Sequence, residues 1–349
     1  MRRLISVFSP VDRVLAAAVA IGIAIGQSIP LNAWGERGHY TVNQAAARGI
    51  PDDGPVFLRA HEDWIRYLGP IPDSWRSAFE PFQKIIEDPN HGWFREQFAF
   101  MTNAKVPRSR YEFVLALDQE HRRLMAAGDQ KAAALTNVRW TGTLPYAAVE
   151  TYEQMVAGMR RYRAAREQKA DTTYIEREIA AYMGRLGHYT ADGAQPLHDS
   201  IHHDGWQGAN PRGYTTDPRV HGRFESRFVD LIKLTPEDIQ KDLPPAKVLE
   251  DPFDAVIAHL DDAGSFVEKV YELDAAGAYD DAGNAEARTL VRRQITRAAA
   301  LLRDLAQTAW VRSGERVPMN PGDNPVVPAH PQYNPATGSA PAPRHAAKP

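Results

Sequence analysis

The sequence predicts an all-α fold, and three observations carry that prediction. Residues 110–127 and 145–169 repeat apolar side chains at helical spacing with charges on the opposite face. Segment ends are marked by cap residues and by Gly or Pro breakers. No alternating strand pattern longer than a few residues competes with the helices, and no internal repeat is visible. With 349 residues and 43% apolar content, the chain can bury a substantial core.

The elements follow in order. Arg2 and Arg3 precede an apolar run from Val14 to Gly26, and Ser28 to Ala33 offer a small residue for cleavage. Residues 1–33 therefore read as a secretory signal peptide, because the run is shorter than the roughly 20 residues of a spanning helix. The expectation is a secreted or periplasmic protein with no stable membrane insertion after cleavage. Those 33 residues hold three Arg and one Asp, which leaves 38 basic and 43 acidic side chains, a net of −5. No polybasic arm for nucleic acid or anionic lipid is evident.

A helix is predicted from His39 to Arg48, ended by Gly49 and Pro51, and a second from about Pro55 to Tyr67. Gly69 to Arg76 reads as a loop entering a short helix with Asp73 as its N-cap, and Pro89 to Phe94 as an aromatic loop. The helices over 110–127 and 145–169 include the solvated run Met159 to Arg166. Asp171 and Thr172 cap the next helix, which runs into His188. Past a Gly and a Pro comes His198, then a polar, aromatic loop with Trp206, Asn210 and Tyr214. His221 and Glu225 lie on a further helix, and Pro252–Leu273 and Ala285–Arg312 complete a domain spanning 34–315. From 316 the 34-residue tail holds nine prolines, so a disordered or polyproline-like extension is expected. His61, His121 and His259 stand without matching partners and read as structural.

Chemistry is concentrated in a few spacings. His188 and Asp192 stand four apart, as do His221 and Glu225, so each pair leaves one helix face one turn apart. Cysteine is absent, so a metal must be held by His, carboxylates and backbone groups. Trp34, His39, Asp73, His91, His188, Asp192, His198, His221 and Glu225 make nine candidate ligands. They are N or O donors of the kind zinc accepts, and they serve three zinc ions if one carboxylate, assigned as Asp192, bridges. Cleavage after Ala33 would give Trp34 a free α-amino group able to chelate together with its own carbonyl.

In their order, Trp34-Gly-x-x-Gly-His39, Asp73-x-x-Arg76, Asn90-His91, His188-x-x-x-Asp192, Gln195-Pro-Leu-His198 and His221-x-x-x-Glu225 resemble the zinc-dependent superfamily of single-strand-specific nucleases and bacterial phospholipases C. The resemblance spans Trp34 to about Val229. It implies a secreted phosphodiesterase in which Asp73, His91, His188 and Asp192 hold one zinc. Trp34 and His39 with the bridging Asp192 would hold its close partner, and His198, His221 and Glu225 a third, more distant ion. A zinc-activated water would attack phosphorus, with Asp73, Arg76 and Asp192 as the catalytic residues and Arg76 neutralising a phosphate oxygen. Single-stranded nucleic acid, with 3′-nucleotidase activity, is the first substrate implied and phosphatidylcholine-like lipid the alternative. Arg76, Trp93, Phe94, Trp206 and Asn210 would contact substrate, the aromatics by stacking on bases or caging a choline. Departures from the nuclease pattern stand out: Phe94 occupies the place of a nuclease Asp near the attacking water, which Glu96 replaces only if the loop is reshaped; Glu225 stands where the nucleases usually carry Asp, a feature shared with the phospholipases; and several dozen residues are inserted between His91 and His188. A catalytically silent helical metal-binding protein is the third reading.

Overall fold

A computed structural model describes residues 34–102, 105–315 and 324–342, and among these the chain is helical with no β-strand, only an isolated bridge between Asn334 and Ser339. The all-α prediction holds. The leader expected over residues 1–33 lies outside the described residues. No helix of the described residues is long and apolar enough to cross a membrane.

The principal helices are α1 (Gly35–Arg48), α2 (Glu62–Leu68), α3 (Pro81–Glu87), α4 (Arg110–Ala126), α5 (Gln130–Leu135), α6 (Leu144–Glu167) and α7 (Thr173–Asp192). They continue with α8 (220–231), α9 (Pro252–Gly264), α10 (Val267–Ala275) and α11 (Ala285–Ser313). Helix α7 is the centre of the core, packed by α1, α2, α6 and α11. Its apolar face, with Ile179, Ala180, Met183 and Leu186, is fully buried among residues such as Val42, Ile65, Met155, Leu302 and Leu305. Burial of apolar area supplies most of the free energy that holds such a bundle.

Close approach at α7 depends on Gly187. A Cβ there would sit 1.8 Å from Asn43 Oδ1, so only glycine lets the Asn43 side chain reach across. Asn43 Nδ2 then donates to the carbonyls of Ile65 and Gly184 at 2.8 and 2.9 Å, pinning α1, α2 and α7 together. Every residue from Leu186 to Asp192 is buried as a result.

Four local expectations are corrected. The helix predicted from Pro55 to Tyr67 is a 3₁₀ stretch, Val56–His61, followed by α2. Asp73 lies inside the short helix Ile71–Ser74, whose N-cap position is Pro70, so its carboxylate is not spent on capping. Pro252–Leu273 is two helices: Gly264 weakens the helix at its end, and the Ser265 hydroxyl donates back to the Asp262 carbonyl at 2.6 Å. In the Pro-rich tail, residues 324–342 run through turns in which Asn334 and Thr337 donate to the Glu112 carboxylate of α4, so the expected extension gives way here to a docked stretch. The helices α3 and α5 and the capped turn Pro236–Gln240 have no counterpart in the sequence reading.

Candidate metal centre

Six elements carry candidate ligands to one buried place. His39 comes from α1 and Asp73 from Ile71–Ser74; His91 ends the 3₁₀ turn Asp88–His91; His188 and Asp192 form the last turns of α7; His198 sits in the 3₁₀ turn Pro196–Asp199; His221 and Glu225 come from α8. The C-terminus of α7 adds its partial negative charge to the same place, which favours a cation. Helix α8 widens into a π-turn over Arg223–Arg227, and His221 Nε2 and Glu225 Oε2 lie 2.9 Å apart across it. Such widened turns recur at functional sites.

Three groups of side chains have ligand atoms close enough to share an ion: His39, Asp73 and His188; His91, His188 and Asp192; and His198, His221 and Glu225. All of these residues are buried. The two oxygens of Asp192 diverge: Oδ1 lies 3.5 Å from His39 Nε2, and Oδ2 lies 3.0 Å from His91 Nδ1 and 3.2 Å from His188 Nε2. That is the placement a bridging carboxylate needs. The third group was expected to stand apart, yet His198 Nδ1 is only 3.6 Å from Asp192 Oδ2, because the imidazole reaches carboxylates on both sides.

Donor chemistry and unpaired atoms test whether metal fits. His39 Nδ1 and Nε2, both oxygens of Asp73, Asp192 Oδ1, His198 Nδ1 and Glu225 Oε1 are buried with no hydrogen-bond partner. Buried polar atoms rarely go unpaired, so this concentration of lone pairs in one place calls for cations. Ring nitrogens also face one another, His188 Nε2 with His91 Nδ1 at 3.0 Å and His198 Nε2 with His221 Nε2 at 3.1 Å. A cation or a proton must lie between such pairs. The described chain therefore contains three buried His/carboxylate clusters able to hold metal ions.

Supporting residues fix which nitrogen points inward. His188 Nδ1 donates to the Gly69 carbonyl at 2.8 Å, leaving Nε2 for the centre. His221 Nδ1 faces the His203 carbonyl at 3.0 Å and Asp204 Oδ1 at 3.3 Å. His91 Nε2 faces Glu87 Oε1 at 3.4 Å, while Tyr189 and Asn90 donate to the same carboxylate. Outer partners of this kind orient ligands and raise their basicity. Sequence reasoning missed Glu87, Asp204 and the contact of Gln195 with Glu225 at 2.9 Å. Glu87 was within reach, because it stands four residues before His91, the spacing that singled out the other two pairs.

Trp34 is buried in a left-handed conformation, φ 46°, at the start of α1. Its indole donates to the Ala191 carbonyl at 2.6 Å, beside Asp192. Gly38 makes this possible, since a Cβ there would lie 2.7 Å from Trp34 Cβ. The Trp34 nitrogen is 3.2 Å from Glu225 Oε2, so it faces the third cluster, whereas it was expected to join His39.

Two expected substrate contacts, Trp93 and Phe94, are corrected. Trp93 is fully buried against Phe98, Phe113 and Tyr146 and offers no face to a base. Phe94 is buried and stacks on His203 at 4.7 Å. Asn210 closes its own loop through the backbone of Tyr214, itself buried, at 2.7 and 2.8 Å. Trp206 is partly buried with its ring stacked on His202 at 3.8 Å. Glu96 accepts from Ser200 Oγ and Ile201 N, so its carboxylate holds the loop after His198. Arg76 does sit at the centre, with Nη1 3.5 Å from Asp73 Oδ1 and Nε 3.2 Å from Asp88 Oδ1. The three histidines read as structural have local partners: His259 meets the Thr190 carbonyl at 3.0 Å, His121 the Ala133 carbonyl at 2.7 Å, and His61 lies 3.6 Å from Glu176.

Without metal, the centre balances its charge with protons. Burial opposes a charge on His188, but Asp192 and Asp73 outweigh it and raise the imidazole to about 9. Burial is likewise outweighed at His221, which Glu225 and Asp204 raise to about 10. Burial with His188 alongside lowers His39 to about 3, while the two neighbouring imidazoles hold Glu225 down at about 2 against its own burial. Burial raises Asp73 and the adjacent histidines depress Asp192, so the two carboxyl groups are pushed apart. His188 and His221 are thus protonated at pH 7, and a metal must displace those protons. Zinc added to metal-free protein in weak buffer at pH 7 should release them, and affinity should rise with pH toward 9 to 10. Binding with no proton release would contradict this assignment.

Comparison with known proteins adds no relative: the chain matches no family model, and no curated protein matches it significantly.

Proposed function

We propose that the chain is a zinc-dependent phosphodiester hydrolase. The observation that carries this reading is the divergent placement of the Asp192 oxygens between His39 on one side and His91 and His188 on the other. The donor set is buried and contains only nitrogen and oxygen, which suits zinc without cysteine. His39, Asp73, His91, His188 and Asp192 would hold a close pair, and His198, His221 and Glu225 a third ion. Zinc supplies a Lewis acid for phosphoryl oxygens and a water deprotonated near neutral pH. The carboxylates of Asp73, Asp192 and Glu225 cancel only part of the positive charge of three dications, so an anionic diester is attracted without a basic surface. Arg76, partly exposed beside Asp73, orients a phosphate oxygen through its guanidinium.

Single-stranded nucleic acid is the substrate we assign first, on the resemblance carried by Trp34 to His39 and Asp73-x-x-Arg76. Phosphatidylcholine-like lipid is the second reading, favoured by the exposed apolar side chains of residues 79–86, between Arg76 and Glu87. One paired assay decides. The purified protein is given single-stranded DNA or a short-chain phosphatidylcholine, each with zinc and with chelator. Chelator-sensitive cleavage of DNA is the expected result, cleavage of the lipid alone assigns the second reading, and cleavage of neither with fewer than two zinc ions bound per chain would sink both.

A further inference from the structure

Between Arg76 and Glu87 the chain leaves the metal centre, crosses ten residues, and returns to it. Arg76 touches Asp73 before the excursion, and Glu87 touches His91 after it. At its base Lys84 Nζ donates to the Arg76 carbonyl and pairs with Asp88, which also holds Arg76. Beyond that base the side chains stand largely uncovered among the described residues: Phe79 is 93% exposed, Phe82 88%, Ile85 72% and Ile86 60%. Helix α3 is thus buried only at Glu87. Four large apolar groups within eight residues on one excursion are the kind of exposed apolar surface that marks an interaction site.

We propose that residues 77–86 are a docking finger for a zwitterionic lipid surface, inserting Phe79, Phe82, Ile85 and Ile86. Charge decides the partner. The finger contains only Glu80 and Lys84, so it is net neutral, and the Lys84 ammonium is tied back at the base. A tip without positive charge offers nothing to a polyanion or to anionic lipid, and it matches headgroups that are themselves neutral overall. Side-chain type agrees: phenyl rings can stack on bases, but Ile85 and Ile86 cannot, whereas all four partition into an acyl boundary. The inference goes beyond the hydrolase reading and stands on the finger's own exposure and charge. Its consequence for that reading is positional, because an inserted finger brings the Arg76 edge of the centre to the membrane surface.

Flotation of the purified, zinc-loaded protein with phosphatidylcholine vesicles tests the proposal, using wild type, Phe79→Ser/Phe82→Ser and Ile85→Ser/Ile86→Ser. Each pair is expected to lower the partition coefficient by about tenfold or more, given the apolar area lost. In a separate Phe82→Trp variant, the indole emission should shift to the blue on adding vesicles. Absence of wild-type flotation, flotation unchanged in both pairs, or no shift for Phe82→Trp overturns the proposal. A dimer in sedimentation that both pairs abolish, without vesicle binding, assigns the patch to a second copy instead. Loss of single-stranded DNA binding in the pairs, with vesicle binding unchanged, assigns it to nucleic acid. Rates on a soluble phosphodiester such as bis(p-nitrophenyl) phosphate read the metal centre independently, so an inactive protein that still floats leaves the finger standing while the hydrolase reading fails.

Discussion

Asp192→Asn should lower hydrolysis by on the order of a thousandfold or more and reduce zinc content at two clusters at once. The substitution keeps the shape of the side chain and removes its charge. Asp192 is fully buried, with one oxygen toward His39 and the other toward His91 and His188. An amide can offer only its one carbonyl oxygen as a ligand, so it serves at most one side of the pair. Glu225→Gln is the comparison. Its carboxylate faces His198, His221, Gln195 and the Trp34 nitrogen, so its loss should weaken one ion and leave the His91 and His188 pairing intact. Metal analysis of the two variants beside wild type separates the cases. Equal zinc loss in both would contradict a bridge at Asp192, whatever the rates.

The fold was legible wherever helical periodicity ran long. The predicted spans 110–127, 145–169 and 285–312 differ from α4, α6 and α11 by one or two residues at their ends. Short elements were not legible: α3 exposes Phe82, Ile85 and Ile86, so it lacks the apolar-in, polar-out pattern by which helices are read. The candidate ligands were legible because i,i+4 spacing survives folding, and His188 with Asp192 and His221 with Glu225 do converge. What spacing does not encode is who stands behind a ligand. The Gly69 carbonyl behind His188 and Asp204 behind His221 come from separate stretches brought in by tertiary packing. Aromatic side chains were misread for the same reason. Trp93 and Phe94 stand two and three residues after His91, yet the chain enters the core there, where Trp93 packs on Phe98 and Phe113. Proximity to a ligand in sequence therefore said nothing about exposure to a substrate.

The N-terminus gives the sharpest remaining test, because Trp34 is already in position. Its indole is held by the Ala191 carbonyl and by packing against Phe224 at 5.4 Å, while its nitrogen lies 3.2 Å from Glu225 Oε2. As a peptide amide that nitrogen can only donate a hydrogen bond; as a free amine it can offer a lone pair to a metal. A chain beginning at Trp34 should therefore bind zinc more tightly and turn over faster than one retaining Ala33, by about 10- to 100-fold, the range seen when a metal site loses one supporting interaction. Thermal midpoints of the metal-free proteins should agree, since the indole anchor is common to both. Identical zinc content and rate would remove the amine from the centre. Combining each chain start with Glu225→Gln then locates the ion. Residues that share a metal give non-additive losses, and independent ones add. Non-additivity would place the amine with Glu225, as the 3.2 Å contact favours. Additive losses would place it with His39, where Asp192 Oδ1 also points.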